Sequence, residues 1–298
     1  MSFCNIADRF SWSGNFFSTK LHSLLGGTWK TVLWGIAGGL LASLLLLALG
    51  ASIQPEAVLL LWAVTLIMLL FRIRYLCAAY SAGVLGILHG IVSWIPSLQE
   101  SQSLQWFVGP VMRVDISSLL AIVGVLHLVE AVLMRVQGTR RASPIFYESK
   151  RGKIVGGYLL QGYWPVPLFL IVPLQGGFAS EIPWAGWLNG NSWAGGWTMA
   201  ALPVMVGFVE MTITRLPGRK LRLSSGNLLQ YSIIVIVLAI GTHYWPGMGI
   251  LAALLTIGLH EAMAFYSAYL ETQKSPYFVH PSRGSRSLPY CLAALPRN

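Results

Sequence analysis

The stretch Ile154-Val-Gly-Gly-Tyr-Leu-Leu-Gln-Gly-Tyr-Trp164-Pro-Val-Pro-Leu-Phe-Leu-Ile-Val-Pro-Leu174 contains no charged residue. About 17–25 apolar residues suffice to cross a bilayer as a helix. As a helix, this stretch is a span kinked or partly unwound by Pro165, Pro167 and Pro173. On its N-terminal side lie the cations Arg135, Arg140, Arg141, Lys150, Arg151 and Lys153; on its C-terminal side none recurs before Arg215.

Apolar runs alternate with basic links along the rest of the chain. Spans are predicted at about 31–53, 55–71, 75–95, 116–134, 154–174, 195–213, 228–245 and 247–270. Threaded that way, nineteen of the 20 Lys and Arg residues fall on one side and Arg113 stands alone on the other. Basic residues resist translocation, so the crowded side is the cytoplasm. The expectation is an all-α fold, a polytopic bundle of about eight transmembrane helices in the plasma membrane with both termini cytoplasmic. Residues 1–30 form an N-terminal arm, 31–270 the membrane domain and 271–298 a tail. With 55% hydrophobic and 10% charged residues, the lipid bilayer is the main partner. The net charge of +10 is spread through short links, which argues against nucleic acid. Gly38, Gly39, Gly83, Gly86, Gly90, Gly156 and Gly157 are placed to let backbones approach closely.

Ionisable groups inside a membrane are costly and mark candidate sites. His127, Glu130, Glu210, His260 and Glu261 form the expected intramembrane polar network, with His127 and Glu130 three apart and so on one helix face. The network carries either a proton, cation or substrate path, or interhelical hydrogen bonds and ion pairs. His260-Glu261 lacks a second histidine one turn on, where Ala264 stands, which argues against a zinc hydrolase. Phosphate-cradling loops and a nucleophile elbow are also lacking. Cys4, Cys77 and Cys291 are far apart, which argues against a disulfide framework or a thiolate metal site. No catalytic residue, cofactor or metal is assigned, and the chain is expected not to be an enzyme.

Several stretches, taken in order, resemble the membrane region of the MinJ-like family. They are Phe71-Arg-Ile-Arg-Tyr75, Ala79-Tyr-Ser-Ala-Gly83, Asp115-Ile-Ser-Ser-Leu-Leu120, His127-Leu-Val-Glu-Ala131, Ala142-Ser-Pro-Ile-Phe146, Gly156-Gly-Tyr-Leu-Leu-Gln161, Trp164-Pro-Val-Pro167, His260-Glu261 and Phe278-Val-His-Pro-Ser-Arg-Gly284. The resemblance implies a multi-pass Firmicute protein of cell division in which membrane helices precede a cytoplasmic PDZ domain. It also implies the role of a division-site topological determinant with cytoplasmic cell-division partners. After Gly284 the chain departs from that pattern, and residues 285–298 are expected to be an aberrant, frameshift-derived remnant in place of the PDZ domain.

Two functions follow. In the first the chain is an integral membrane scaffold whose docking loop carries Arg135, Arg140, Arg141, Lys150, Arg151 and Lys153. In the second it is a secondary transporter or ion-coupled permease using Glu130, Glu210 and Glu261 with the broken fifth span.

Overall fold

A computed structural model of the chain describes residues 24–148, 154–178, 188 and 196–279. The predicted arm up to residue 23 and the tail from residue 280, including its supposed remnant, lie outside the described residues. In chain order the helices are α1 (Leu24–Leu49), α2 (Pro55–Phe71), α3 (Ala78–Trp94), α4 (Pro96–Glu100), α5 (Gln105–Met112), α6 (Ile116–Gln137), α7 (Pro217–Tyr244) and α8 (Gly249–Thr272). The strands are β1 (Ala142–Glu148), β2 (Ile154–Phe178), β3 (Trp197–Thr212) and β4 (Phe278–Val279).

Local chemistry sets the helix ends. Pro55 and Pro217 sit in the first turns of α2 and α7, where a missing N–H leaves nothing unsatisfied. Asp115 caps α6, its carboxylate accepting from the N–H groups of Ser117 at 3.0 Å and Ser118 at 3.3 Å. Gly50, with φ of 77°, ends α1 in the left-handed region that glycine enters without a Cβ clash.

The all-α, eight-span expectation is overturned. The predicted fifth and sixth spans are strands β2 and β3, paired antiparallel from Tyr158 opposite Thr212 to Pro173 opposite Trp197. β1 pairs with β2 from Ala142 opposite Leu160 to Glu148 opposite Ile154. β4 extends the sheet where β3 has ended, with Val155 opposite Val279. Among the described residues four helices are long and apolar enough to cross a membrane: Thr28–Leu49, Ile116–Arg140, Pro217–Tyr244 and Pro246–Thr272. Pro55–Phe71 and Ala78–Trp94 are shorter apolar helices.

Proline placement explains the correction. An interior proline costs a helix about 3 kcal/mol, and this segment holds three. As a strand it suits the period of two. Leu160, Trp164, Val166, Leu168 and Leu170 are buried, while Tyr163, Pro165 and Phe169 face outward. Beyond β1, the edge of β2 not occupied by β3 is covered by α1. Gly35 lies against the Pro165 carbonyl, Gly39 against the Pro167 carbonyl, and the Ser43 hydroxyl accepts from the Phe169 N–H at 2.9 Å. Four residues of helix advance about 6 Å and two residues of strand about 6.6 Å, so the small residues of α1 keep step with alternate residues of β2. Pro165 and Pro167 have no N–H to leave unpaired on that edge.

The core fills the space between the inward face of the sheet, α1, α6 and α7. Trp164, fully buried, stacks on Phe208 with ring centroids 5.9 Å apart. α6 is buried nearly all round. The glycine expectation holds for α3, where Gly83, Gly86 and Gly90 lie against Ile257, Ala253 and Ile250 of α8. Gly38 meets Val129 and Leu133 of α6.

Candidate functional site

The α3–α8 contact carries a polar cluster into the bundle. Cys77, in extended conformation, is the residue before α3 and so sits at the foot of the glycine-lined seam. Its Sγ lies 3.1 Å from Nε2 of His127 on α6 and 3.6 Å from Nε2 of His260 on α8. Each histidine is held by its other ring nitrogen. His127 Nδ1 is 2.8 Å from the Val123 carbonyl, and His260 Nδ1 is 3.2 Å from the Tyr80 hydroxyl. Tyr80 donates onward to Glu261 Oε1 at 2.9 Å, and Arg74 donates to Glu261 Oε2 at 2.5 Å. Tyr231 closes the cluster edge-on, 5.2 Å from His127 and 5.5 Å from His260 between ring centroids, while its hydroxyl donates to the Thr256 carbonyl at 3.1 Å.

Burial grades along this chain of contacts. His127 is 3% exposed, whereas the Arg74 and Glu261 side chains are about two-fifths exposed. Tyr80 first, with Glu261 behind it, pushes the Arg74 guanidinium above its ordinary value, against a partial opposing effect of burial. A half-exposed ion pair thus anchors one end of a relay whose other end is dry. The relay orients two imidazoles at one sulfur.

Of the five groups expected to form one network, His127, His260 and Glu261 come together. Glu130 lies one turn beyond His127 and within electrostatic reach of His127, Cys77 and Glu210. Glu210 belongs to a second cluster at the start of α7. There it accepts from the Ser224 hydroxyl at 2.6 Å and lies 3.5 Å from Lys220 Nζ. Lys220 is 2% exposed, donates to Ser267 at 2.7 Å and lies 3.4 Å from Glu271. Glu271 also accepts from the N–H groups of Ile213 and Thr214 and from both threonine hydroxyls, Thr212 and Thr214. Lys220 is a buried cation between two carboxylates that ties the end of β3 to α7 and α8.

Among the described residues, the stretch expected as a docking loop holds the end of α6, the turn after it and β1. Arg135 lies on α6 and Arg140 on the turn after it, both exposed, and Arg141 precedes β1 of a β1–β2 hairpin. Lys150, Arg151 and Lys153 lie outside the described residues. Cys77, Tyr80, Tyr231, Arg74, Lys220 and Glu271 were not among the residues of the expected polar network. Cys77 is 50 residues from His127 and 183 from His260, so no local spacing announces the cluster.

No protein-family model matches the chain, and no solved structure does. The chain is similar to the cell division topological determinant MinJ of Bacillus subtilis (strain 168), 28% identical over 247 residues. The match covers 80% of this chain and 59% of that protein, so the chain spans well under two thirds of the relative's length. This homology, low in identity but spread over most of the chain, supports the MinJ-like resemblance carried by the motifs from Phe71 to Gly284.

Proposed function

We propose that the chain is the membrane anchor of a cell-division topological determinant, a multi-pass scaffold without enzymatic activity that gathers cytoplasmic partners. The observation that carries this is the extended similarity to MinJ. Charge supports it. Arg72, Arg74, Arg140, Arg215, Arg219 and Arg222 lie near the chain ends of α2 and α6 and the starts of α3 and α7. This side is tied together by Arg74–Glu261, Lys220–Glu271 and the packing of the start of α7 against the turn after α6. Asp115, Arg113 and Glu100 lie at the opposite ends of α5, α6 and α4. A cationic end of this kind sits at the inner leaflet and faces acidic proteins or lipid headgroups.

The docking surface carries Arg135, Arg140 and Arg141, at the end of α6 and before β1, together with Lys150, Arg151 and Lys153, which follow β1 in the sequence. In Bacillus subtilis lacking MinJ, a fluorescent fusion of this chain is expected at division sites. Arg140→Gln combined with Arg141→Gln, Lys150→Gln and Arg151→Gln should leave the fusion in the membrane and disperse it around the cell. A wild-type fusion spread uniformly in the membrane would sink the proposal, and a quadruple variant still at division sites would discard the hairpin as the docking surface. The transporter alternative depended on a broken fifth span and on Glu210 sharing a path with Glu130 and Glu261; the span is a strand and Glu210 is tied to Lys220 and Ser224.

A further inference from the structure

We infer that Cys77, His127 and His260 form a binding site for a zinc-class divalent transition metal, which staples the turn before α3 to α6 and α8. One ligand atom from each, the Sγ and two imidazole nitrogens, lie within 4.8 Å of one another. A zinc ion bound at about 2.3 Å to sulfur and about 2.0–2.1 Å to nitrogen in tetrahedral geometry sets sulfur and nitrogen about 3.6 Å apart. The two sulfur–nitrogen distances are 3.6 Å and 3.1 Å, so the first already fits and the second opens by about half an ångström on binding.

The hydrogen-bond partners of two neutral imidazoles point the same way. The Val123 carbonyl can only accept, so His127 carries its proton on Nδ1 and presents a bare Nε2 toward Cys77. Tyr80 commits its hydroxyl proton to Glu261, so its oxygen accepts from His260 Nδ1 and the His260 Nε2 is bare as well. Two lone pairs therefore converge on one thiol, whose single proton can satisfy only one of them. A cation at the centre satisfies both, and the thiol proton is released to solvent as the sulfur becomes a thiolate ligand.

The surroundings have the form of a metal site's outer shell. Ligating histidines commonly donate their second ring N–H to a carbonyl or carboxylate, which fixes the tautomer and raises basicity. Here one histidine uses a backbone carbonyl and the other reaches Glu261 through Tyr80. The donor set of one thiolate and two imidazoles selects zinc and its soft or borderline neighbours over magnesium or calcium. Three protein ligands leave the fourth position to water.

The test uses the full chain, untagged and in detergent or nanodiscs, with Cys4→Ser and Cys291→Ser so that Cys77 is the only thiol. Titration with Co²⁺ is expected to give a thiolate-to-cobalt charge-transfer band that saturates at one metal per chain and is displaced by Zn²⁺. Further introduction of Cys77→Ser should abolish the band, and Tyr80→Phe should weaken affinity by about 10–100-fold, the usual effect of removing an outer-shell partner. Absence of the band in the folded parent protein would overturn the site without any ligand variant. So would cobalt retained at the same stoichiometry after Cys77→Ser.

Discussion

Helix α6 and strand β2 are two apolar segments of similar length, 22 and 25 residues. One became the most buried helix of the bundle and the other the central strand of a sheet. α6 has no proline, and its glycine, Gly124, faces the α7 backbone where a Cβ would lie 2.7 Å from Ile236. β2 has prolines at 165 and 167, spaced for a strand and impossible for a regular helix. Total hydrophobicity says that a segment leaves water, while backbone donors and side-chain period say in which form. The hydrogen bonds that β2 cannot make within itself are made to β1, β3 and Ser43 instead.

The contrast can be broken most severely at Trp164, the largest fully buried side chain among the described residues and one that stacks on Phe208. Trp164→Ala should cost about 3–5 kcal/mol, read as a lower unfolding midpoint in detergent, whereas a neutral result would place the weight of the core on α6 alone. Gly39→Val tests the coupling between α1 and the edge of β2, because a Cβ there would lie against the Pro167 carbonyl, a backbone atom that cannot rotate away. A loss of about 1–3 kcal/mol is expected, together with faster proteolysis of the β2–β3 hairpin; an unperturbed variant would show that α1 does not cover the edge. The smallest effect concerns the prolines themselves. Pro165→Ala with Pro167→Ala restores two N–H groups on that edge, and the far-ultraviolet circular dichroism should keep its strand content, because pairing with β3 holds the segment. Conversion to helix would mean that proline alone excludes the eight-span fold.

Much of the helical part was legible. The helices expected at 55–71, 75–95, 116–134 and 247–270 correspond to α2, α3, α6 and α8 within a few residues, because these apolar runs lack an interior proline and are bounded by proline, glycine or cations. β2 was misread since its outward face is largely apolar: after Gln161 and Tyr163 it carries Pro165, Pro167 and Phe169, so polarity hardly alternates. The polar site was half legible. His127, His260 and Glu261 stood out as costly residues in apolar helices, and the structure brings them together. Cys77 did not, being a small residue at a helix start whose partners lie far along the chain. Lys220 looked like any cation of a basic link, and only the closure of β3 onto α7 and α8 buries it.

By itself the sequence determined which segments leave water, where cations gather and where proline forbids a regular helix, because these depend on each residue's own solvation and backbone chemistry. Tertiary structure decided the rest: that two proline-bearing segments pair as strands, that Glu210 meets Lys220 and Glu261 meets Arg74, and that one sulfur faces two imidazoles. Such pairings are set by distances between residues far apart in the chain, and those distances exist only once the helices and the sheet have packed.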